Sequence, residues 1–240
     1  MFKKSFSLAL IFALLVSVSS VDAFAQQQPN LAAQFARDHQ AIWTAPFKIK
    51  RGDVKWLVPL TAGAAALVAT GADWKVSQNM HDMEGLRGPS RFVSNLGGGG
   101  PMMAASGAML GIGKLTKNDK AAETGTLALQ AVLHTELLVG GIKVLVNRER
   151  PEKIDGQGGF WGGGRSFPSG HAATTFAFAT VVADKYESKW VKVVAYGLAT
   201  AVSLSRVGGM KHFPSDVLIG GVIGHLVGKY ILKRNRPEIH

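Results

Sequence analysis

The chain contains no cysteine. A disulfide framework and thiolate metal sites are therefore excluded, and stability must come from a packed core. Acidic residues are scarce as well: 16 Asp and Glu stand against 27 Lys and Arg, a net charge of +11. That balance favours anionic surfaces and anionic substrates. The basic residues are scattered at segment ends, as in Lys48, Lys50, Arg51, Lys233, Arg234 and Arg236, with no basic tract interleaved with aromatics. Nucleic acid is not an expected partner. Strict apolar–polar alternation is nearly missing, and the apolar runs are rich in Ala and Gly, so strands are not expected. Long apolar runs are wanting too. Leu57 to Gly71, Met102 to Gly113 and Val191 to Leu204 fall short of the ~20 residues of a comfortable membrane span. No H-E-x-x-H pattern occurs, and no carboxylate cluster accompanies the motifs below beyond Asp216, so neither metal nor cofactor is expected.

What is present is concentrated in three short strings. The first runs from Lys143 to Pro151, K-V-L-V-N-R-E-R-P. On one helix, Lys143 and Arg150 would project from one face, with Pro151 stopping the helix beside Arg150. The second is Pro168-Ser169-Gly170-His171, ahead of the apolar run Ala172 to Ala183. Ser169 reads as an N-cap and Gly170 allows close backbone approach, so the helix start suits an anion with His171 beside it. The third is S-R-V-G-G-M-K-H-F-P-S-D, from Ser205 to Asp216. His212 and Asp216 are four apart, a spacing at which the carboxylate can accept the proton of one ring nitrogen and leave the other basic. Each string has a plain structural reading: a snorkelling lysine, an ordinary cap, an acidic residue in a first turn. Together, in this order, they point to phosphoryl-transfer chemistry.

The three strings resemble the motifs of the type 2 phosphatidic acid phosphatase superfamily, which also holds bacterial non-specific acid phosphatases and vanadium haloperoxidases. Lys143, Arg150 and Pro151 match the first motif, Pro168 to His171 the second, and Ser205, Arg206, His212 and Asp216 the third. The resemblance implies a helical core and assigns roles. His212 would be the nucleophile, oriented by Asp216, and His171 the acid and base for the leaving group and for water. Lys143, Arg150, Ser169, Gly170 and Arg206 would hold the phosphoryl oxygens. The implied activity is metal-independent hydrolysis of phosphomonoesters, lipid phosphates or small organic phosphates, through a phosphohistidine. An isoprenyl pyrophosphate phosphatase is the alternative within the same chemistry. A vanadium haloperoxidase and a non-enzymatic envelope protein are the remoter readings.

The N-terminus reads as a secretory signal over residues 1–25: Lys3 and Lys4, an apolar run from Phe6 to Val18, and Ala23-Phe24-Ala25 as cleavage site. Residues 26–240 are expected to form one domain, with the motif-bearing core at about 121–233, as an all-α bundle of about six helices and the site between helix ends. Helices are expected at 121–147, 172–186, 189–205 and 214–233. Asp73 to Arg91 reads as loop with a short helix, and Gly97 to Pro101 as a breaker. Cleavage would leave Gln26 outside the cell. If 57–71, 102–113 and 121–147 all spanned, Lys143 and Arg150 would reach the cytoplasm. A site facing the periplasm therefore needs the Met102–Gly113 segment, or all three, not to cross. Periplasm and inner membrane both remain open, with membrane association expected from Trp43, Trp56 and the basic flanks.

Overall fold

The structure is a computed structural model that describes residues 31–48, 51–83, 93–154 and 156–236. Residues 1–25, expected to be a signal, lie outside the described residues. The chain divides into two compact units, one up to Thr44 and one from Ala45. The first contributes helix α1 (Leu31–Thr44), within which Trp43 Nε1 donates to His39 Nε2 at 2.8 Å.

The second unit is built from α2 (Arg51–Ala69), α3 (Ala72–Asp82), α4 (Gly99–Leu115), α5 (Asp119–Val146), α6 (Gly170–Lys185), α7 (Lys189–Gly208) and α8 (Pro214–Arg234). Short 3-10 turns cover Ala45–Lys48 and Pro151–Lys153. Among the described residues there is no strand, and the fold is an all-α bundle. Local chemistry sets the helix ends. Asn118 accepts from Ala121 N at 3.0 Å and starts α5. Pro214 occupies the first turn of α8, where its missing N–H costs nothing.

Two expectations need correction. Helix α5 stops at Val146, because Asn147 turns left-handed (φ 50°) and bonds back to Lys143 O, so Arg150 lies beyond the helix in extended backbone. The Gly97–Pro101 stretch is not a simple breaker. Gly99, Gly100 and Pro101 form the first turn of α4, where proline is tolerated. The short helix expected within Asp73–Arg91 is α3, with Asp73 and Ser77 buried.

Small residues let the helices meet at the backbone. Ala128, Ala131 and Val132 of α5 and Ala172, Ala173 and Ala177 of α6 have no exposed surface. Gly220, Gly224 and Gly228 of α8, four residues apart, lie against Ser169, Ala173 and Ala177 of α6 and the turn before it. A Cβ on Gly224 would stand 1.9 Å from Ala173 O, so no side chain fits that crossing. Three helical stretches are long and apolar enough to cross a membrane: Gly52–Ala69, Asp119–Lys153 and Pro214–Arg234, with mean hydropathies of 1.2, 1.5 and 1.3. The short apolar runs of the sequence understate them, because helix continues through Gly, Ala and polar positions. Outward faces are apolar as well, with Val54, Trp56 and Val58 of α2 and Trp190, Val193, Val194 and Leu198 of α7 exposed.

From α4 to α8 the helices alternate in direction, whereas α3 keeps both ends near the motifs, Asp73 accepting from Ser215 N at 2.9 Å and His81 Nδ1 lying 3.0 Å from Gly208 O. The end of α2, the starts of α3, α4, α6 and α8, and the ends of α5 and α7 share one end of the bundle, which carries the three motifs. The opposite end gathers Lys114, Lys117, Lys185, Lys189, Lys233 and Arg236.

Candidate active site

The segment between α5 and α6 folds back on itself and presents the second motif to the third. Ser166 N donates to Arg148 O at 2.9 Å and Gly164 N to Asn147 O at 3.2 Å. A Cβ at Gly164 would stand 2.2 Å from Arg148 O, so this doubling-back requires glycine. The loop then runs through Pro168 to Ser169, whose N–H donates to Asp216 O at 2.9 Å. Ser169 caps α6, its Oγ facing Ala172 N at 3.5 Å, and Gly170 and His171 occupy the first turn. Motifs two and three are thus joined through the backbone. Gly220 strengthens the junction, since a Cβ there would stand 2.5 Å from Ser169 O.

Lys143 comes from the last turn of α5. Its ammonium donates to Pro168 O at 2.6 Å and Arg165 O at 2.8 Å, with Ser166 O at 3.5 Å. Arg206, at the end of α7, donates from Nη1 to Ser94 Oγ, while its Nε is buried and has no partner. Arg150 lies 3.7 Å from Glu152 Oε1. The His171 ring lies against the Gly97–Gly100 turn, where a Cβ on Gly98 would be 3.5 Å from Nε2. It stands in the field of Arg206, His212, Lys143 and Arg150. Residues from all three motifs therefore converge at one end of the bundle, the two imidazoles and three cations among them.

The geometry of His212 departs from the expected pair. Its Nδ1 lies 2.7 Å from Ser166 O and 3.7 Å from Asp216 Oδ2. A carbonyl can only accept, so Nδ1 carries the proton and Nε2 keeps its lone pair. Asp216 is spent otherwise. Its Oδ2 accepts from Phe213 N at 2.9 Å and from Ser166 Oγ, and its Oδ1 from Arg148 Nη1 at 2.7 Å. The first two bonds follow from Asp216 sitting three residues after the cap of α8 and from Ser166 reaching over from the loop. Burial pushes the His212 pKa down to about 4, against the pull of Asp216 and with Lys143 and Arg206 adding to the fall. The imidazole is thus neutral across the physiological range.

Arg148 and Asp73 carry weight that the sequence did not announce. Arg148 is fully buried and bridges two carboxylates, Asp216 at 2.7 Å and Asp73 at 3.0 Å. Its guanidinium also lies 4.2 Å from the Phe213 ring centre and 4.8 Å from that of Phe160. Ser215 closes the knot, donating from N to Asp73 Oδ1 at 2.9 Å and accepting from Arg148 Nη1 at 2.8 Å. The available signal was the second arginine within the first motif, two residues before Arg150. Nothing in the local pattern pairs it with Asp73, 75 residues earlier.

A helical bundle with an anion-suited cluster at one end points to a class of protein, and comparison with known families agrees. Residues 124–238 match the PAP2 superfamily, and this part of the chain belongs to it. Among individual proteins, the chain is similar to a lipid A 1-phosphatase of Porphyromonas gingivalis, 44% identical over 66 residues, covering 27% of this chain and 15% of that protein. It is also similar to a lipid A 4'-phosphatase of Bacteroides thetaiotaomicron, 27% identical over 110 residues, covering 42% of this chain and 49% of that protein. The matches thus span less than half the length of these relatives. The fold is shared with the crystal structure of Aquifex aeolicus LpxE, at TM-score 0.54 and 23% identity over 66% of this chain and 93% of that one. It is shared also with a transmembrane PAP2-type phosphatidylglycerolphosphate phosphatase of Bacillus subtilis, at TM-score 0.59 and 22% identity over 78% of this chain and 98% of that one.

Proposed function

We propose that the protein is a membrane-bound phosphomonoesterase that hydrolyses a phosphorylated lipid through a phosphohistidine. The observation that carries the reading is the tautomer of His212. With Nδ1–H committed to Ser166 O, a basic Nε2 remains in a cluster holding Lys143, Arg150 and Arg206. Burial, with Arg206, His212, Lys143 and Arg150 adding to it, pushes the His171 pKa down to about 4, so its ring takes up a proton together with the incoming phosphoryl anion, whose charge offsets those cations. In the first step the Nε2 lone pair forms the N–P bond, the P–O bond to the alcohol breaks, and the departing oxygen takes that proton from His171. In the second, neutral His171 takes a proton from water, the water oxygen attacks phosphorus, and the N–P pair returns to Nε2. Lys143, Arg150, Arg206, Ser169 and the Gly170 N–H hold the non-bridging oxygens throughout. Phosphoryl transfer gains mainly from positioning and charge stabilisation, which these side chains supply without a metal.

A lipid substrate is favoured by the two lipid A phosphatases among the relatives and by the apolar outer faces of α2 and α7. The test is quenching during turnover of a radiolabelled lipid phosphate in excess chelator. An acid-labile phosphoenzyme is expected, and His212→Ala should abolish it and lower kcat by about four orders of magnitude. A phosphoenzyme that persists in His212→Ala removes the nucleophile, and activity that only magnesium restores removes the metal-free reading.

The active site faces the periplasm in this proposal. Cations retained on the cytoplasmic side of a membrane protein fit the basic end opposite the site. Because α2 starts at that basic end, this orientation also keeps Ala45 to Lys48 on the cytoplasmic side, against the side that cleavage after Ala25 would give. The native lack of cysteine makes the check clean. In intact spheroplasts, an impermeant maleimide should label Lys153→Cys at the site end and spare Ser188→Cys at the basic end. The reverse pattern would put the site in the cytoplasm.

A further inference from the structure

We propose that Asp73 and Arg148 are positioning residues that set the charge facing His212, which makes helix α3 a working part of the site. The inference rests on His212 acting as nucleophile. Its ground is the arithmetic of the buried trio. Asp73, Arg148 and Asp216 have fully buried side chains linked by contacts of 3.0 and 2.7 Å. Together they carry one net negative charge. If Arg148 were matched by Asp216 alone, the pair would be neutral and would offer little to a developing imidazolium. Asp73 answers the arginine, and the charge of Asp216 remains effective 3.7 Å from His212 Nδ1. The linkage is mechanical as well. Ser166 donates from Oγ to Asp216, accepts from the His212 ring, and donates from N to Arg148 O. Arg148 thus touches the His212 support through both its backbone and its side chain. Asp73 stands outside residues 124–238, so this part of the site comes from a helix that the family match does not include.

A buried ion pair that merely holds the fold would show otherwise than one that sets a charge. Asp73→Asn keeps the size and a hydrogen-bonding oxygen but makes the trio neutral. It should lower kcat for a lipid phosphate by roughly 10- to 100-fold with KM within about twofold. Adding Arg148→Gln to it restores one net negative charge, and the double variant should regain several-fold of the lost kcat. A purely structural trio predicts the opposite order, with the double variant the worse of the two. Wild type and His212→Ala, measured alongside, test the nucleophile separately. If His212→Ala is inactive while Asp73→Asn turns over like wild type, only the present inference falls. Should Asp73→Asn fail to fold, the double variant carries the test. Its kcat within about tenfold of wild type supports the charge role, and a loss as deep as that of His212→Ala overturns it.

Discussion

Two regions of this molecule are equally tight for opposite reasons. At the site end, Asp73, Arg148, Asp216, Ser166 and Ser215 are wholly or almost wholly buried, and the packing is a web of ionic and hydrogen-bonded contacts. Along the α6–α8 crossing, by contrast, closeness comes from side chains that are missing at Gly220, Gly224 and Gly228. The first region depends on charge and is sensitive to protons. The second depends on volume and is sensitive to a methyl group. They meet at Ser169, whose backbone is pressed by Gly220 and bonded to Asp216 O, so the seam sets the spacing that the ionic end needs.

The comparison is open to direct tests. The largest effect should come from protons. His212 has a pKa of about 4 in the folded protein against an ordinary 6.5, so between those values the unfolded chain binds more protons than the folded one. The stability tied to this group is fully present above about pH 6.5 and is lost as pH falls through 4. The thermal midpoint should drop across that window, and His212→Asn should flatten the drop. An unchanged slope in His212→Asn would show that the ionic end is not the proton-sensitive part. Next, Gly224→Ala should cost about 1–3 kcal/mol by forcing α8 away from Ala173 O, with a midpoint lowered by a few degrees at neutral pH. It should also reduce activity, because α8 carries Asp216 and the seam reaches Ser169. Retained stability would mean that the helices slide apart freely. The smallest effect separates volume from propensity. Gly197 on α7 has nothing within 4 Å of a built Cβ, so Gly197→Ala should raise stability by about 0.5–1 kcal/mol.

The two regions were also unequally legible in the sequence. The helices from α5 to α8 showed in apolar runs bounded by caps and breakers, and Ser169 and Pro214 mark starts by local chemistry alone. The motif strings marked candidate site residues as chemistry at fixed spacing, and the structure draws them to one end of the bundle. What stayed hidden is of another kind. The end of α5 falls within one residue of the expected 147, but the left-handed turn at Asn147 that carries Arg150 off the helix into extended backbone is not registered by apolar periodicity. The His212–Asp216 spacing permitted a direct bond, but Ser166 O competes for the same proton and lies nearer. Asp73 sits in a polar stretch whose helix is held by distant partners. Pairings of that separation leave no mark on local pattern.

The contacts of Lys143 bear on what an incoming anion would have to displace. An ammonium offers three hydrogens, and here three carbonyl oxygens face it, those of Pro168, Arg165 and, at longer range, Ser166. A newcomer must outbid neutral dipoles already in place. A doubly charged phosphoryl group does so readily, whereas chloride or a single carboxylate gains far less from the exchange. In the proposed mechanism, the loop that folds the site together thus also sets what an incoming anion must displace at Lys143.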